Sequence, residues 1–223
     1  MKRCVINVAV GGWYPRGQKR LAESVKQFGA GVDFIGWNTW PPGSPPHAQQ
    51  PYAFKSYAFQ EAARLGYETI LWLDASCWAI RPLGPLFDHI ETEGHVFSFE
   101  ARSAGQWLKD SALPTLGVTR DEAMNMPLLG GMFMGICLKN ERSQKWLQRW
   151  TEVCQDGKTL PGAHYNVNKC VSTDPRVLGH THDQSVASII AFQLGMAITP
   201  RPKWRDLVNP NPDPSTVILA CGL

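Results

Sequence analysis

The chain has 223 residues, 43% of them hydrophobic and 18% charged, a balance that supports a packed core and excludes extensive disorder. The net charge of +3 is too small to imply nucleic acid or an anionic membrane as partner. No apolar run approaches the roughly 20 residues that span a bilayer.

The N-terminus begins like a secretory signal, but its apolar run, Cys4 to Val10, is short and contains Asn7. It reads as a first buried strand, Val5 to Val10, ended by Gly11-Gly12, and the protein as cytoplasmic. Residues 17 to 28 fit a helix with Leu21, Val25 and Phe28 on one face, and Val32 to Trp37 a second strand. Residues 38 to 51 hold five prolines and read as a functional loop or rigid brace. Tyr52 to Leu65 fits a helix stopped by Gly66. Thr69 to Leu73, apolar on both faces as central parallel strands are, is the strongest strand and ends at Asp74. His95 to Phe99 is another strand, and residues 101 to 127 show no period. Leu128 to Leu138 is an apolar stretch containing Gly130, Gly131 and Gly135. Helices follow at 141 to 153, with Trp146, Leu147, Trp150 and Val153 inward, and at Val186 to Leu194. The tail reads as proline-punctuated coil with one strand-like piece, Thr216 to Ala220.

Strand–helix alternation predicts an α/β fold, a single domain over residues 1 to 223 with a mostly parallel central sheet flanked by helices. The six cysteines form no CxxC pair, which excludes a zinc ribbon and argues against a disulfide framework; Cys4, Cys77 and Cys137 read as small buried hydrophobes. In an open parallel sheet, ligands bind beyond the carboxyl ends of the strands. Asp74 stands there, able to hold a cation or a sugar hydroxyl, with a plain turn as the structural alternative.

The segment from Tyr52 to Phe87, YAFKSYAFQEAARLGYETILWLDASCWAIRPLGPLF, resembles the core of GT-A-fold glycosyltransferases, especially the glycogenin-like retaining families. Two later pieces agree in order and spacing: LLGGMFMGICLKN at 128 to 140, and GHTHDQSVASIIAF at 179 to 192. The resemblance implies a GT-A-like, Rossmann-like domain with a nucleotide-binding half at 1 to 100 and an acceptor and donor-sugar half at 101 to 223. It implies sugar transfer from a nucleotide-diphosphate-sugar donor, with retention.

Residue by residue, the resemblance assigns Asp183 and Gln184 to catalysis, with helix capping as the plain alternative for Asp183. It assigns Val10, Gly11, Trp13, Lys55, Asp74, Ser76, Gly130, Gly131 and Lys203 to the donor. The alternatives are a strand-ending turn at Gly11, a solvated helix face at Lys55, a β-bulge at the Gly-Gly pair and a basic surface loop at Lys203. The family's second metal-binding Asp falls at Ser76, so the motif reads Asp74-Ala75-Ser76. A divalent cation would need further ligands, with His180 and His182 as candidates beside Asp74 and Ser76; histidine favours Mn²⁺ over Mg²⁺. The other course is metal-independent, with Lys or Arg neutralising the diphosphate. Trp37, Trp40 and Trp107 are candidate acceptor platforms.

The competing classes are a catalytically inactive sugar-nucleotide or glycan binder, which Ser76 would suit, a scaffold protein, and a nucleotidyltransferase, which lacks its Gly-rich basic loop here. The motifs do not select among a glycan, a protein, a small molecule or a modified nucleic-acid base as acceptor. The clusters Arg16, Lys19, Arg20 and Arg201, Lys203, Arg205 are too few to favour a polyanion.

Overall fold

The computed structural model describes residues 1–201 and 203–221. Its elements run β1 (Arg3–Val8), α1 (Tyr14–Phe28), β2 (Val32–Trp37), α2 (Phe54–Arg64), β3 (Thr69–Leu73), β4 (Cys77–Ala79) and α3 (Gly84–Glu93) in the first part. Then come β5 (His95–Ser103), the short helices α4 (Leu113–Leu116) and α5 (Arg120–Met124), β6 (Pro127–Cys137), α6 (Glu141–Gln155), α7 (Asp183–Gln193), β7 (Trp204–Leu207) and β8 (Thr216–Ala220). Among the described residues these strands form two sheets, a central one ordered β2-β1-β3-β6-β5 and a smaller one ordered β4-β8-β7.

The central sheet is mixed. Strands β1, β2 and β3 pair in parallel, whereas β6 runs antiparallel to both β3 and β5. That reversal matters for the site. It lays the N-terminal part of β6 beside the carboxyl end of β3, where the Asp74 N–H donates to the Met132 carbonyl at 3.0 Å.

Alternation along β3 decides which layer each residue enters. Ile70 and Trp72 face one core with Phe59, Trp146, Trp150, Ile189 and Ile190, covered by α2, α6 and α7. Leu71 and Leu73 face the other, with Leu21, Val25, Phe87 and Ile90 from α1 and α3. Asp74, two residues beyond Trp72, continues the α2/α7 side, and its carboxylate accepts the Trp72 indole N–H at 2.7 Å. Helix α1 packs close against the turn after β3, because Gly17 has no side chain to collide with the Ala75 carbonyl.

Several elements go beyond the expectation from sequence. Helix α3 has Pro85 in its first turn and is ended by Gly94, at φ 87. Strand β7 forms within the segment expected to be coil, paired in parallel with β8. Residues 101 to 127, without a period in the sequence, hold 3₁₀ turns and the two short helices. Helix α7 also starts three residues earlier than its apolar period, at Asp183. Cys4, Cys77 and Cys137 are buried and free, as expected. No helix among the described residues is long and apolar enough to cross a membrane.

Leu71 is fully buried between β1 and β6. Leu71→Ala is expected to destabilise the fold by roughly 2–5 kcal/mol, read from chemical denaturation. A loss under about 1 kcal/mol would contradict the two-layer core.

Candidate active site

Lys55 lies in the first turn of α2 and is 4% exposed. A buried ammonium is costly, and the positive end of its own helix disfavours it further. Its surroundings supply the compensation. Nζ sits 3.2 Å from Asp183 Oδ2 and 3.7 Å from Asp74 Oδ1, and it donates to the Gly131 carbonyl at 2.8 Å. The Tyr52 and Trp72 rings stand 5.2 and 5.4 Å from it. Burial pulls the Lys55 ammonium towards neutrality, but Asp183 and then Asp74 outweigh it, so its pKa is raised and it stays charged.

Asp183 is the first residue of α7, where free backbone N–H groups and the helix dipole favour an anion. It is 2% exposed. Burial pushes its carboxyl up to about 6, against the opposing pull of Lys55. Its Oδ2 meets the ammonium as an ion pair without hydrogen-bond alignment. Gln184 anchors beside it, donating from Nε2 to the Leu129 carbonyl at 2.6 Å.

Two cavities share this charged centre. One, of about 310 Å³, is walled by aromatic side chains (Trp13, Tyr14, Trp40, Tyr52, Phe54 and Trp72) with Val8, Val10, His47, Lys55, Asp74, Ala75 and Ser76. The other, of about 320 Å³, is more polar, with Glu100, Arg102, Trp107, Leu128, Met132, His164, Tyr165 and Thr181 around Gly131, Asp183 and Gln184. Tyr52, Lys55 and Asp74 border both.

Thus Val10, Trp13, Lys55, Asp74, Ser76, Gly131, Asp183 and Gln184, singled out from the sequence, are brought together. Others are not. Gly11, at φ 74, serves the turn after β1 and lines neither cavity. Gly130 faces the opposite way from Gly131: a side chain there would meet Ser98, Glu100 and Arg205. Lys203 lies over the Trp204 ring, which itself packs on His89, because β7 carries this segment into the smaller sheet. Trp37 packs against the core, while Trp40 and Trp107 each line a cavity.

The expected metal ligands do not assemble. His180 is fully buried, and Nε2 faces the Thr159 and Leu160 carbonyls at 3.1 Å each. Burial, reinforced by His182, pushes this imidazole down to about 3. His182 turns Nδ1 to the Leu160 carbonyl at 2.8 Å. Neither imidazole lines the cavities. Among the described residues no three His, Cys, Asp or Glu side chains converge as a metal site requires. Asp74 is the carboxylate bordering Ser76, and its Oδ1 already holds an indole N–H beside an ammonium. GT-A transferases often use a divalent cation, but these residues do not fit one.

Tyr52, Trp72, Glu100, Arg102, His164 and Tyr165 were not foreseen. Trp72 had a signal, since it shares β3's face with Asp74 at i, i+2. Tyr52 had none; it takes a φ of 62 in the turn just before α2.

No protein-family model and no curated protein matches the chain. Among solved structures, a glycosyltransferase involved in the glycosylation of the major capsid of PBCV-1 superposes with a TM-score of 0.57 at 12% identity, covering 97% of this chain and 93% of that one. The fold is GT-A-like. Mouse xyloside xylosyltransferase 1 in its apo form has the same GT-A architecture, with a TM-score of 0.54 at 11% identity over 99% of this chain and 97% of its own.

Because Asp183 in the folded chain lies above its ordinary 3.8, its ionisation costs stability as pH rises from there to about 6. Lys55→Met removes the counter-charge and enlarges that cost. The variant is expected to lose roughly 3 kcal/mol above about pH 7 and less near about pH 5, where Asp183 holds a proton. Denaturation at the two pH values measures this, and a pH-independent difference would contradict the pairing.

Proposed function

We propose that the chain is a glycosyltransferase that moves a sugar from a nucleoside-diphosphate sugar to an acceptor nucleophile. The observation that carries this is the junction of an aromatic cavity and a polar cavity at Lys55 and Asp74. A nucleoside needs flat apolar walls, which Trp13, Trp40 and Trp72 provide. A sugar needs fixed hydrogen-bonding groups, which Asp183 and Gln184 provide. The donor then lies across the centre, its base among the rings contributed by the first half of the chain and its sugar against the second half. Gly131 leaves that sugar room, since a Cβ there would stand 3.3 Å from Gln184 Cβ and 3.5 Å from Lys55 Nζ.

In the reaction the bond between the anomeric carbon and the phosphate oxygen breaks with its electron pair on the diphosphate. The acceptor oxygen bonds the anomeric carbon and releases its proton to solvent. Lys55 supplies a fixed positive charge, held before the substrate arrives, near the point where negative charge develops. Asp74 and Asp183 keep that ammonium protonated and in place, and the aromatic walls exclude the water that would otherwise hydrolyse the donor. The acceptor approaches the polar cavity past Tyr165, which is 62% exposed.

Transfer and hydrolysis measured across a panel of nucleoside-diphosphate sugars, with and without Mn²⁺, test the proposal. Asp183→Ala and Asp74→Ala are expected to lower turnover at least ~100-fold while circular dichroism stays that of the parent. Unchanged turnover in both would overturn the site. Saturable binding with no turnover would favour the inactive binder that Ser76 raises.

A further inference from the structure

We propose that this chain holds its donor's diphosphate without a divalent cation, and that Arg102 supplies the charge a metal would have brought. The inference rests on the proposed donor. The ligands a metal would need are incomplete: a serine stands where a second carboxylate would be, and the two candidate imidazoles are turned to backbone carbonyls. The carboxylates that remain, Asp74 and Asp183, already share the Lys55 ammonium. A dication placed on Asp74 would therefore meet a fixed positive charge close by.

Besides His47 and His164, the cavity walls carry one lysine and one arginine, Lys55 and Arg102. Lys55 is committed to its two carboxylates. Arg205 lies behind the wall, fully buried and paired with Glu100 at 2.7 Å, so the one further acid on the polar cavity is already neutralised. Among the described residues Arg102 forms no ion pair. Its guanidinium lies 5.2 Å from the Trp107 ring centroid, on the cavity that Asp74, Asp183 and Gly131 also line. Stacking on an indole orients a guanidinium while leaving its N–H fork free for phosphate oxygens. The backbone favours this placement. Ala101 takes a φ of 54, and the β5–β6 register slips between Phe99 and Ser103, which lifts Arg102 from the regular ladder to an exposed position at the rim.

Calorimetric titration of the full chain with UDP, GDP, ADP and CDP, in EDTA and in Mn²⁺, tests the inference. The nucleoside diphosphate that binds is expected to do so in EDTA within about threefold of its affinity in Mn²⁺. Arg102→Ala is expected to weaken it about 10- to 100-fold while leaving the affinity for the bare nucleoside unchanged, and Arg102→Lys to recover part of the loss. The split between diphosphate and nucleoside separates a phosphate contact from general damage to the cavity. Binding that requires Mn²⁺, or is indifferent to Arg102→Ala, overturns the inference and leaves the glycosyltransferase proposal standing. Failure of all four diphosphates to bind under both conditions overturns the two together.

Discussion

A single buried ammonium ties the working end of this molecule together. Lys55 belongs to α2, its partners Asp74 and Asp183 follow β3 and begin α7, and its carbonyl acceptor, Gly131, belongs to β6. Four elements from distant parts of the chain thus converge within a few ångströms. A charge with so little exposure survives only because every neighbour is arranged for it, so the arrangement is fixed before any substrate arrives.

The sheet explains how such a centre is built. Reversal of β6 beside β3 brings the Gly-Gly stretch to the carboxyl end of the parallel strands, where an open α/β sheet leaves its crevice. Alternation along β3 then points Trp72 and Asp74 into the layer that also receives α2 and α7. The same geometry divides the crevice into an aromatic side and a polar side, and it sets Asp74 and Asp183 on either side of the Lys55 ammonium.

Much of this was legible in the sequence because it rests on local pattern. The apolar run of Thr69–Leu73 marked the central strand, and the proline-rich stretch at 38 to 51 marked the loop before α2. Asp74 was named from its place at the end of that strand, and Lys55, Asp183 and Gln184 from the resemblance of three segments to GT-A glycosyltransferases. What stayed hidden depends on tertiary direction. Gly130 and Gly131 look alike in sequence but face opposite ways. His180 and His182 look like a ligand pair, yet the 159–160 carbonyls, some twenty residues away, claim a nitrogen from each. Lys203 follows β7 into a second sheet whose pairing no local period announces. Arg102 stands where the β5–β6 register shifts and next to a positive φ, features that leave no mark in composition or periodicity.

The most direct measurement is a crystal structure of the chain with a non-hydrolysable nucleoside-diphosphate sugar. The account predicts the base between Trp13, Trp40 and Trp72, and the sugar hydroxyls within hydrogen-bond reach of Asp183 and Gln184 on the far side of Lys55. A nucleotide seated elsewhere, or one whose binding pulls Lys55 away from both carboxylates, would contradict it.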